Sequence, residues 1–551
     1  MSHIKGIFIK NFRGIKELKY FFNSEKFIVL IGRGDSGKST ILTAIQYALS
    51  PSWNISFSDL DFHNQDTSNP IEICVWINEL PGELLKEQRY GLYVENPLDE
   101  PDCRDKLSIV IKLTVNGDLE PKWTVVPRNE SVDEKPISAA DRALIGINYI
   151  GDYTDTQFAY NRQSPLYALT KATLDKDQDL ERIKTKLLRA MSSNVETEHF
   201  QLLNGPLDDL KKKAMLLGLS IDDLCANIDI KENPYTGNSI ALHHNNLPYR
   251  LQGKGSKRLM SIAIQSELTK TGGIMLVDEI EQGLEPDRIS TLVNILKAPE
   301  RGQVFITTHN INVIKECQST NLFVVSKGVS SLSQISVNLD NCRRYNPDVF
   351  FAPKVICCEG DTEYGILKAI DNWLLQTKQL SLSTLGVSLA NVGGGANMYL
   401  YASWLNDLGF DSCVFADDDI KDKDKPAKEH CQTQGIPLFL CQEGFCMEKQ
   451  IFQDLPWEAI VDILNCPQTG FPKEYVIMTH DLKKILQTNL SVESQAKIRS
   501  EQSKKAIQFH WFKHLSGGEF LGRIITSYFE HMHDDTHLKK NINSLIAWCM
   551  K

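Results

Sequence analysis

One glycine-rich loop and two clusters of acids carry the residues in this chain that can do chemistry. Residues 32–40 read GRGDSGKST and fit the phosphate-binding pattern GxxxxGK[ST] through Gly32, Gly37, Lys38 and Ser39. In such a loop glycine lets backbone N–H groups turn inward around phosphate. The lysine neutralises the β and γ oxygens, and the serine hydroxyl faces Mg²⁺. Gly34, Asp35, Ser36 and Thr40 complete the cradle. Residues 273–286, GIMLVDEIEQGLEP, form an apolar run ending in Asp278 and Glu279. The first acid is suited to hold Mg²⁺ through water and the second to orient an attacking water. A second acidic set lies later. The apolar run Lys354–Cys358 ends in Glu359, with Glu363 one helical turn beyond, and Ser412–Ala416 ends in Asp417-Asp418-Asp419. Asp417 and Asp419 alternate on an extended segment, so they point to one side. Such hard oxygen donors suit Mg²⁺ or Mn²⁺, and two ions can clamp both oxygens of a phosphodiester displacement. Either cluster alone would equally pass for a solvated strand end.

These residues need strands to end where they stand. Phe27–Ile31 is a short apolar run before the glycine loop, and Ile41, Ile45 and Leu49 continue one face of a helix, whose N-terminus favours anions. Ile4–Ile9 and Ile71–Ile77 add strands to the first third. From 164 to 245 a helical insertion is expected, carried by Leu180, Ile183, Leu187, Leu188, Leu207, Leu210 and Leu216. Strand–helix alternation resumes near Ser256 and runs to about Leu339, and residues 1–163 and 246–345 are expected as two parts of one domain around the insertion. Asp340–Pro353, with Asn346-Pro347, reads as a linker. A second α/β unit occupies 350–551, running to about Leu440 before a helical tail.

A chain of 551 residues exceeds one ordinary core. With 42% hydrophobic and 24% charged residues it has the composition of a soluble globular protein, and no apolar run is long enough to span a bilayer. The opening MSHIKGIFIKNFRG enters a strand pattern with no long apolar stretch, which points to the cytoplasm. Thirteen scattered cysteines include the pair Cys357–Cys358 but no CxxC, so buried reduced thiols are expected. A net charge of −10 gives no global attraction for nucleic acid, and any binding must come from local basic patches.

The first half resembles ABC-type ATPases of the SMC and DNA-repair kind. IKNFRG, with Phe12 and Arg13, is similar to their first strand and turn, and His309 in FITTHN matches their switch histidine. The stretch LQGKGSKR falls where they carry the signature loop that caps a partner's ATP, with Gly253, Gly255 and Ser256 available for that role. Its spelling departs from LSGGQ, which bears on hydrolysis rate more than on ATP binding. The resemblance implies a homodimer or homotetramer. Glu359 followed by the later Asp417-x-Asp419, with NVGGGANMYLYASWLNDLGF between, resembles a Toprim domain of OLD-family nucleases, and of Gabija-type or retron-associated anti-phage members in particular. The expected class is therefore α/β: an N-terminal ABC-type ATPase domain with a helical insertion for dimerisation and a C-terminal Toprim domain with a helical tail. The resemblance implies an ATP-regulated DNA endonuclease or nickase using Mg²⁺ or Mn²⁺. Glu359, Glu363, Asp417 and Asp419 would be metal-site residues, with Glu448 as a further acid and Lys513 as a basic catalytic residue. Glu443 and Lys505 rival that last pair. Members of that family work with a helicase-like protein, or with a reverse transcriptase and its RNA–DNA product, and others act alone.

Topoisomerases and primases also use Toprim domains. The first needs a nucleophilic Tyr in a DNA-gate domain, for which no room follows the acids, and the second a zinc module, for which no cysteine pairs exist. A scaffold with a dead Toprim fold conflicts with the intact acid set. His531, His533 and His537 read as a solvated turn more than a metal site. Lys211–Lys213 reads as a solvated helix face, and LSGG at 515–518 as a coincidental imitation of an ABC signature, on the wrong side of the Toprim acids to complete the ATPase. Lys504-Lys505, Trp511 and Lys513 mix charge with an aromatic, as nucleic-acid surfaces do.

Overall fold

The computed structural model describes residues 2–23, 25–94, 108–127, 132–151, 155–160, 164–173, 204–228, 240–245, 247–269, 273–298, 302–326, 331–395, 397–419, 424–465 and 490–551. They fall into two compact units, Met1–Ile335 and Ser336–Lys551.

The first unit is built on two six-stranded sheets. One is antiparallel, in the order Ile15–Phe21, His3–Phe12, Ile71–Asn78, Ser108–Val115, Pro121–Val126, Lys135–Pro136. Ile71, Ile73, Val75 and Ile77 are buried while Glu72, Cys74 and Trp76 are not, the alternation of a sheet with one covered face. The other runs Ser331–Gln334, Leu322–Ser326, Phe27–Ile31, Gln303–Thr307, Ile274–Val277, Ile147–Ile150, parallel except at the Ser331–Gln334 edge. Phe27–Ile31, Ile274–Val277 and Gln303–Thr307 are buried at every residue, as strands covered on both faces must be. The helix Lys38–Leu49 packs with both sheets in one core. Its Ile41, Leu42, Ala44, Ile45, Ala48 and Leu49 are wholly buried, and so broad an apolar surface requires cover on more than one side.

The expected helical insertion is mixed in structure. Pro165–Thr173 and Asn204–Leu216 are helices, but Leu224–Ile228, Ile240–His244 and Leu247–Pro248 form a three-stranded antiparallel sheet. Buried Leu224 and Ala226 alternate with period two, a signal that the helical spacing upstream obscured. Leu180, Ile183, Leu187 and Leu188 lie outside the described residues.

The second unit has a four-stranded parallel sheet in the order Val387–Asn391, Lys354–Cys358, Asp411–Ala416, Leu438–Leu440. The chain leaves Lys354–Cys358 to one side and returns on the other, so the carboxyl ends of Lys354–Cys358 and Asp411–Ala416 flank a switch point, where parallel sheets bind ligands. Helices Asp361–Lys378, Met447–Asp454, Trp457–Asn465, Val492–Gln508, Leu515–Ser527 and His537–Met550 share its core. Cys357, Cys358 and Cys413 are fully buried and act as small apolar residues, their thiols pushed up by burial. The cysteines among the described residues are free thiols.

Asp340–Pro353 is not an open linker. Asp340–Tyr345 is a helix in which Asp340 pairs with Arg343 and Arg344, both at 2.9 Å. Asn346 then exchanges hydrogen bonds with the Asn391 backbone (2.8 and 3.0 Å), and Val349 and Phe350 are buried. The two apolar side chains overrule the turn signal of Asn346-Pro347. Among the described residues no helix is long and apolar enough to cross a membrane.

Candidate functional site

The glycine loop follows the central Phe27–Ile31 strand. Gly32 has φ 141°, and a Cβ there would lie 2.7 Å from the Val325 carbonyl oxygen, so glycine is required. Gly37, with φ 99°, caps the helix that Lys38 opens. Asp35 also takes positive φ (60°), and Gly34 is open around its Cα. Buried Lys38 donates to the carbonyls of Gly32 and Arg33 at 2.9 Å and to Ser36 Oγ at 3.3 Å. Burial lowers its pKa to about 8, although Asp278, Glu281 and Glu279 oppose the shift. Thr40 is half-buried in the first helical turn.

Ser39 Oγ donates to Asp278 Oδ1 at 2.9 Å, so the serine and the strand-end acid meet as a Mg²⁺-binding pair would. Thr307 Oγ1 donates to the same oxygen at 2.5 Å and accepts from the Glu279 amide at 2.7 Å. Glu279 holds φ 46°, a strained conformation for a residue with a side chain. Buried Arg258 donates to the carbonyls of Gly151 (2.7 Å), Glu279 (3.1 Å) and Asp278, tying down that strand end. Glu281 takes the Thr308 hydroxyl (2.7 Å) and the His309 amide (2.6 Å). Burial lowers the His309 pKa and nearby Lys38 adds to the effect, which favours the neutral ring. Gly253 accepts from the Lys257 amide at 3.0 Å at the start of the helix Lys254–Thr269. A Cβ on Gly255 would lie 2.5 Å from the Gly283 carbonyl oxygen, so Gly255 allows a close approach to the Gly283 turn, and Ser256 follows it in the helix's first turn. Thr307, Glu281 and Arg258 escaped the sequence reading. Glu281, two residues after Glu279 and facing TTHN, left a trace that could have been followed.

In the second unit two strand ends and two helices supply the acids, Glu359 and Asp417 from the strand ends, Glu363 and Glu448 from the helices Asp361–Lys378 and Met447–Asp454. Glu363, Asp417 and Glu448 are 2%, 3% and 1% exposed, so these carboxylates lie in the protein rather than in solvent. Asp417 Oδ1 accepts from the Met447 amide at 2.6 Å, and Glu363 Oε2 from the Gly360 amide at 3.0 Å. Lys513 Nζ stands 3.6 Å from Asp417 Oδ2 and 3.8 Å from Glu448 Oε1. Of the late acid–base candidates, Glu448 and Lys513 are the two in ion-pair range here, whereas Glu443 is exposed and Lys505 ends another helix. Burial raises the pKa of Glu363 and of Asp417; Glu359 and Glu448 add to both shifts and Glu363 to that of Asp417, while Lys513 opposes. Glu359 is raised by burial, with Lys513 lowering and exposed Asp419 raising it. Against burial, which lowers it, Glu448, Asp417, Glu363 and Glu359 hold the Lys513 ammonium above its ordinary value. Asp418 faces Lys428 at 2.6 Å, as alternation along DDD requires.

Glycines set this geometry. Gly393, Gly394 and Gly395 all take positive φ, and the Gly394 amide donates to the Glu359 carbonyl at 2.6 Å. The Gly393 amide donates to Asn391 Oδ1 at 3.2 Å, and a backbone hydrogen bond from Gly395 favours the Glu359 carboxylate. The glycines of LSGG serve packing within this unit. A Cβ on Gly365 would lie 2.5 Å from the Leu515 carbonyl oxygen, and one on Gly518 would collide with that of Thr362. The helices Asp361–Lys378 and Leu515–Ser527 therefore cross backbone to backbone. Thr362 Oγ1 donates to the Phe512 carbonyl at 2.9 Å, which fixes the residue before Lys513.

Among the described residues no three His, Cys, Asp or Glu side chains are gathered closely enough to enclose a metal ion as they stand. The donor set nevertheless fits a hard cation. Glu363 Oε1 and both Glu448 oxygens are buried without an ordinary hydrogen bond, and each such group costs about 1–3 kcal/mol unless something positive meets it. His531 and His533 are exposed, while His537 pairs with the Leu440 carbonyl at 2.8 Å. Lys213 is buried against Glu267 at 2.7 Å rather than solvated. Trp511 is wholly buried and presents no face to a base.

Three family models match the chain. Residues 3–90 match an AAA ATPase domain, and 170–315 an AAA domain described as putative AbiEii toxin, type IV TA system. Residues 350–419 match the TOPRIM domain of overcoming lysogenization defect protein-like proteins. No curated protein matches. Solved structures similar to the chain include the Smc head bound to the C-winged helix domain of ScpA, 17% identical over 60% of this chain and 97% of that one, TM-score 0.36. Another is the Smc head with an extended coiled coil bound to the C-terminal domain of ScpA, derived from Pyrococcus furiosus (15%, 63% and 100%, TM-score 0.38). A third is the recombination mediator RecF with ATP (14%, 61% and 98%, TM-score 0.37). With ATPase models over its first unit and an OLD-like Toprim model over the acid-bearing sheet of its second, the chain combines ATPase and Toprim domains as an OLD-family protein does.

Proposed function

We propose that the protein is an ATP-regulated, divalent-metal-dependent DNA endonuclease or nickase, working in the cytoplasm in anti-phage defence. The observation that carries the proposal is one cation, Lys513, held beside the buried acids Asp417 and Glu448 at a parallel-sheet switch point. Glu359, Glu363, Asp417, Asp419 and Glu448 would hold Mg²⁺ or Mn²⁺. When bound, the metal polarises the phosphodiester and lowers the pKa of water for in-line attack. Lys513 lies against the phosphoryl oxygens and stabilises the charge that develops on them. Glu359, its affinity for a proton raised by burial, accepts a proton from the incoming water or serves as a ligand.

In the other unit Lys38 and the loop amides hold the ATP phosphates, Ser39 and Asp278 the associated Mg²⁺, and Glu279 the attacking water, with His309 at the γ-phosphate. Gly253, Gly255 and Ser256 cap the nucleotide of a second copy in a homodimer or homotetramer. A helicase-like protein, or a reverse transcriptase with its RNA–DNA product, is the class of defence partner that fits.

Incubation with supercoiled plasmid and Mg²⁺ or Mn²⁺ tests the reading. Nicked and linear DNA is expected. Religated topoisomers, primers or unchanged plasmid would replace it with strand passage, primer synthesis or scaffolding.

A further inference from the structure

The segment that leads to Lys513 reverses the charge of the chain. Residues 497–513 contain the cations Lys497, Arg499, Lys504, Lys505 and Lys513 against one acid, Glu501, in a protein whose net charge is −10. Arg499 is spent on the carbonyls of Phe452 and Leu455, but Lys504 and Lys513 are exposed and Lys505 half-exposed. The helix Val492–Gln508 ends here, and His510 turns with φ 51°. That turn buries Trp511 and Phe512 and leaves Ile507 and Phe509 out at 36% and 37% exposure. An exposed ring among lysines, four residues from a lysine in ion-pair range of the acids, has the makeup of a single-strand groove, in which bases stack on aromatics and phosphates track cations. A second basic group flanks the same acids. Exposed Lys449 adjoins Glu448 in sequence and lies 3.7 Å over the Phe445 ring, whose carbonyl accepts from the Asp418 amide at 3.0 Å.

We infer that the segment from Lys504 to Lys513 is the strand-binding rim of the acidic site. It takes an unpaired stretch of DNA with a base stacked on Phe509 and phosphates on Lys504, Lys505 and Lys513. Charge complementarity selects nucleic acid over a second protein for the Ile507–Phe509 patch, because covering it with an apolar surface would strip water from these lysines. A duplex keeps its base faces stacked inside, so Phe509 selects a strand that is melted, flapped or frayed. The inference rests on the nuclease reading for its substrate but not for its measurement.

The test uses the full chain with fluorescent oligonucleotides, in EDTA and in calcium. Wild type should bind a single strand more tightly than the same sequence as a blunt duplex. Phe509→Ala and Phe509→Leu should each weaken single-strand binding about tenfold, as loss of one base–aromatic stack does, while Phe509→Tyr retains it. Lys505→Ala should weaken binding to every sequence and reduce the salt slope by about one. Thermal melting of the Phe509 variants should match wild type, since the ring is partly outside the core. Unchanged single-strand affinity in Phe509→Ala, equal affinity for blunt duplex, or no single-strand binding in either buffer would overturn the rim. Stacking-dependent binding by a chain that never cuts DNA would uphold the rim and sink the nuclease reading. Cutting by a chain whose Phe509→Ala form binds like wild type would do the reverse.

Discussion

Lys513 Nζ lies 3.6 Å from Asp417 Oδ2, and the lysine side chain is 42% exposed where that of the aspartate is 4%. The cation thus lies at the mouth and the carboxylates inside, so the lysine neutralises the acids from the solvent side. Lys513→Ala should leave them facing one another. The expected loss is roughly 1 kcal/mol in EDTA, below the value for a fully buried pair because solvent screens the lysine. Added magnesium should restore most of the loss. Calorimetric melting in both buffers checks this, and identical wild-type and mutant curves in EDTA would contradict it.

Glu359→Ala and Asp417→Ala should each abolish divalent-metal-dependent cleavage and leave ATP binding intact. Changes beyond the direct ligands alone commonly cost about 10–100-fold. Wild-type nicking rates in either variant would return these acids to the status of ordinary strand ends.

Lys38→Ala should eliminate ATP binding without unfolding the second unit. The lysine also sets a pH dependence. Burial holds its free-protein pKa at about 8, and bound phosphates would raise it. ATP binding therefore takes up a proton when the pH exceeds that value. Affinity should stay level below about pH 8 and weaken above it. Titration calorimetry in buffers of different ionisation enthalpy reads the proton directly, and zero uptake at pH 9 would refute the assignment.

Gly518→Ala places a methyl against the Thr362 carbonyl oxygen, a contact that only helix separation relieves. Overpacking of this kind costs about 1–3 kcal/mol. Cleavage should fall further than stability alone accounts for, since Lys513 moves with the seam. A variant that melts lower but cuts normally would detach the seam from the chemistry.

Glu279→Gln, able to bind ATP but not to hydrolyse it, should cleave differently from wild type when ATP is present and identically when it is absent. A ligand moves such an equilibrium only through its differential affinity for two arrangements. The Gabija resemblance tilts the effect towards inhibition by ATP. Superimposable nicking curves across an ATP titration would mean that the two units are merely tethered.

Much of this was legible in the sequence because it is local. Phe27–Ile31 and Ile274–Val277 announce buried parallel strands by being apolar throughout, and Asp278, Glu359 and Asp417 follow directly on apolar runs. What stayed hidden depends on contacts distant in sequence. Thr307 bridges Asp278 and the Glu279 amide, Arg258 reaches back to Gly151, and Thr362 holds Phe512, all through polar side chains that sequence alone cannot aim. Trp511 shows the opposite error. An aromatic among lysines suggests a stacking platform, yet the ring that reaches solvent is Phe509, because the turn at His510 reverses which side chains face the core.

The glycine seam changes what counts as the smallest portable piece of this protein. The Toprim model ends at residue 419, before Glu448 and Lys513. A fragment cut there would keep Glu359, Glu363, Asp417 and Asp419 but lose the positive counterweight that makes their crowding tolerable. It would also expose Gly365 and its neighbours along a helix face shaped for another backbone. Shuffled into a different protein, those seventy residues would carry the four acids without the lysine. The heritable unit of function extends through the tail helix that bears Gly518.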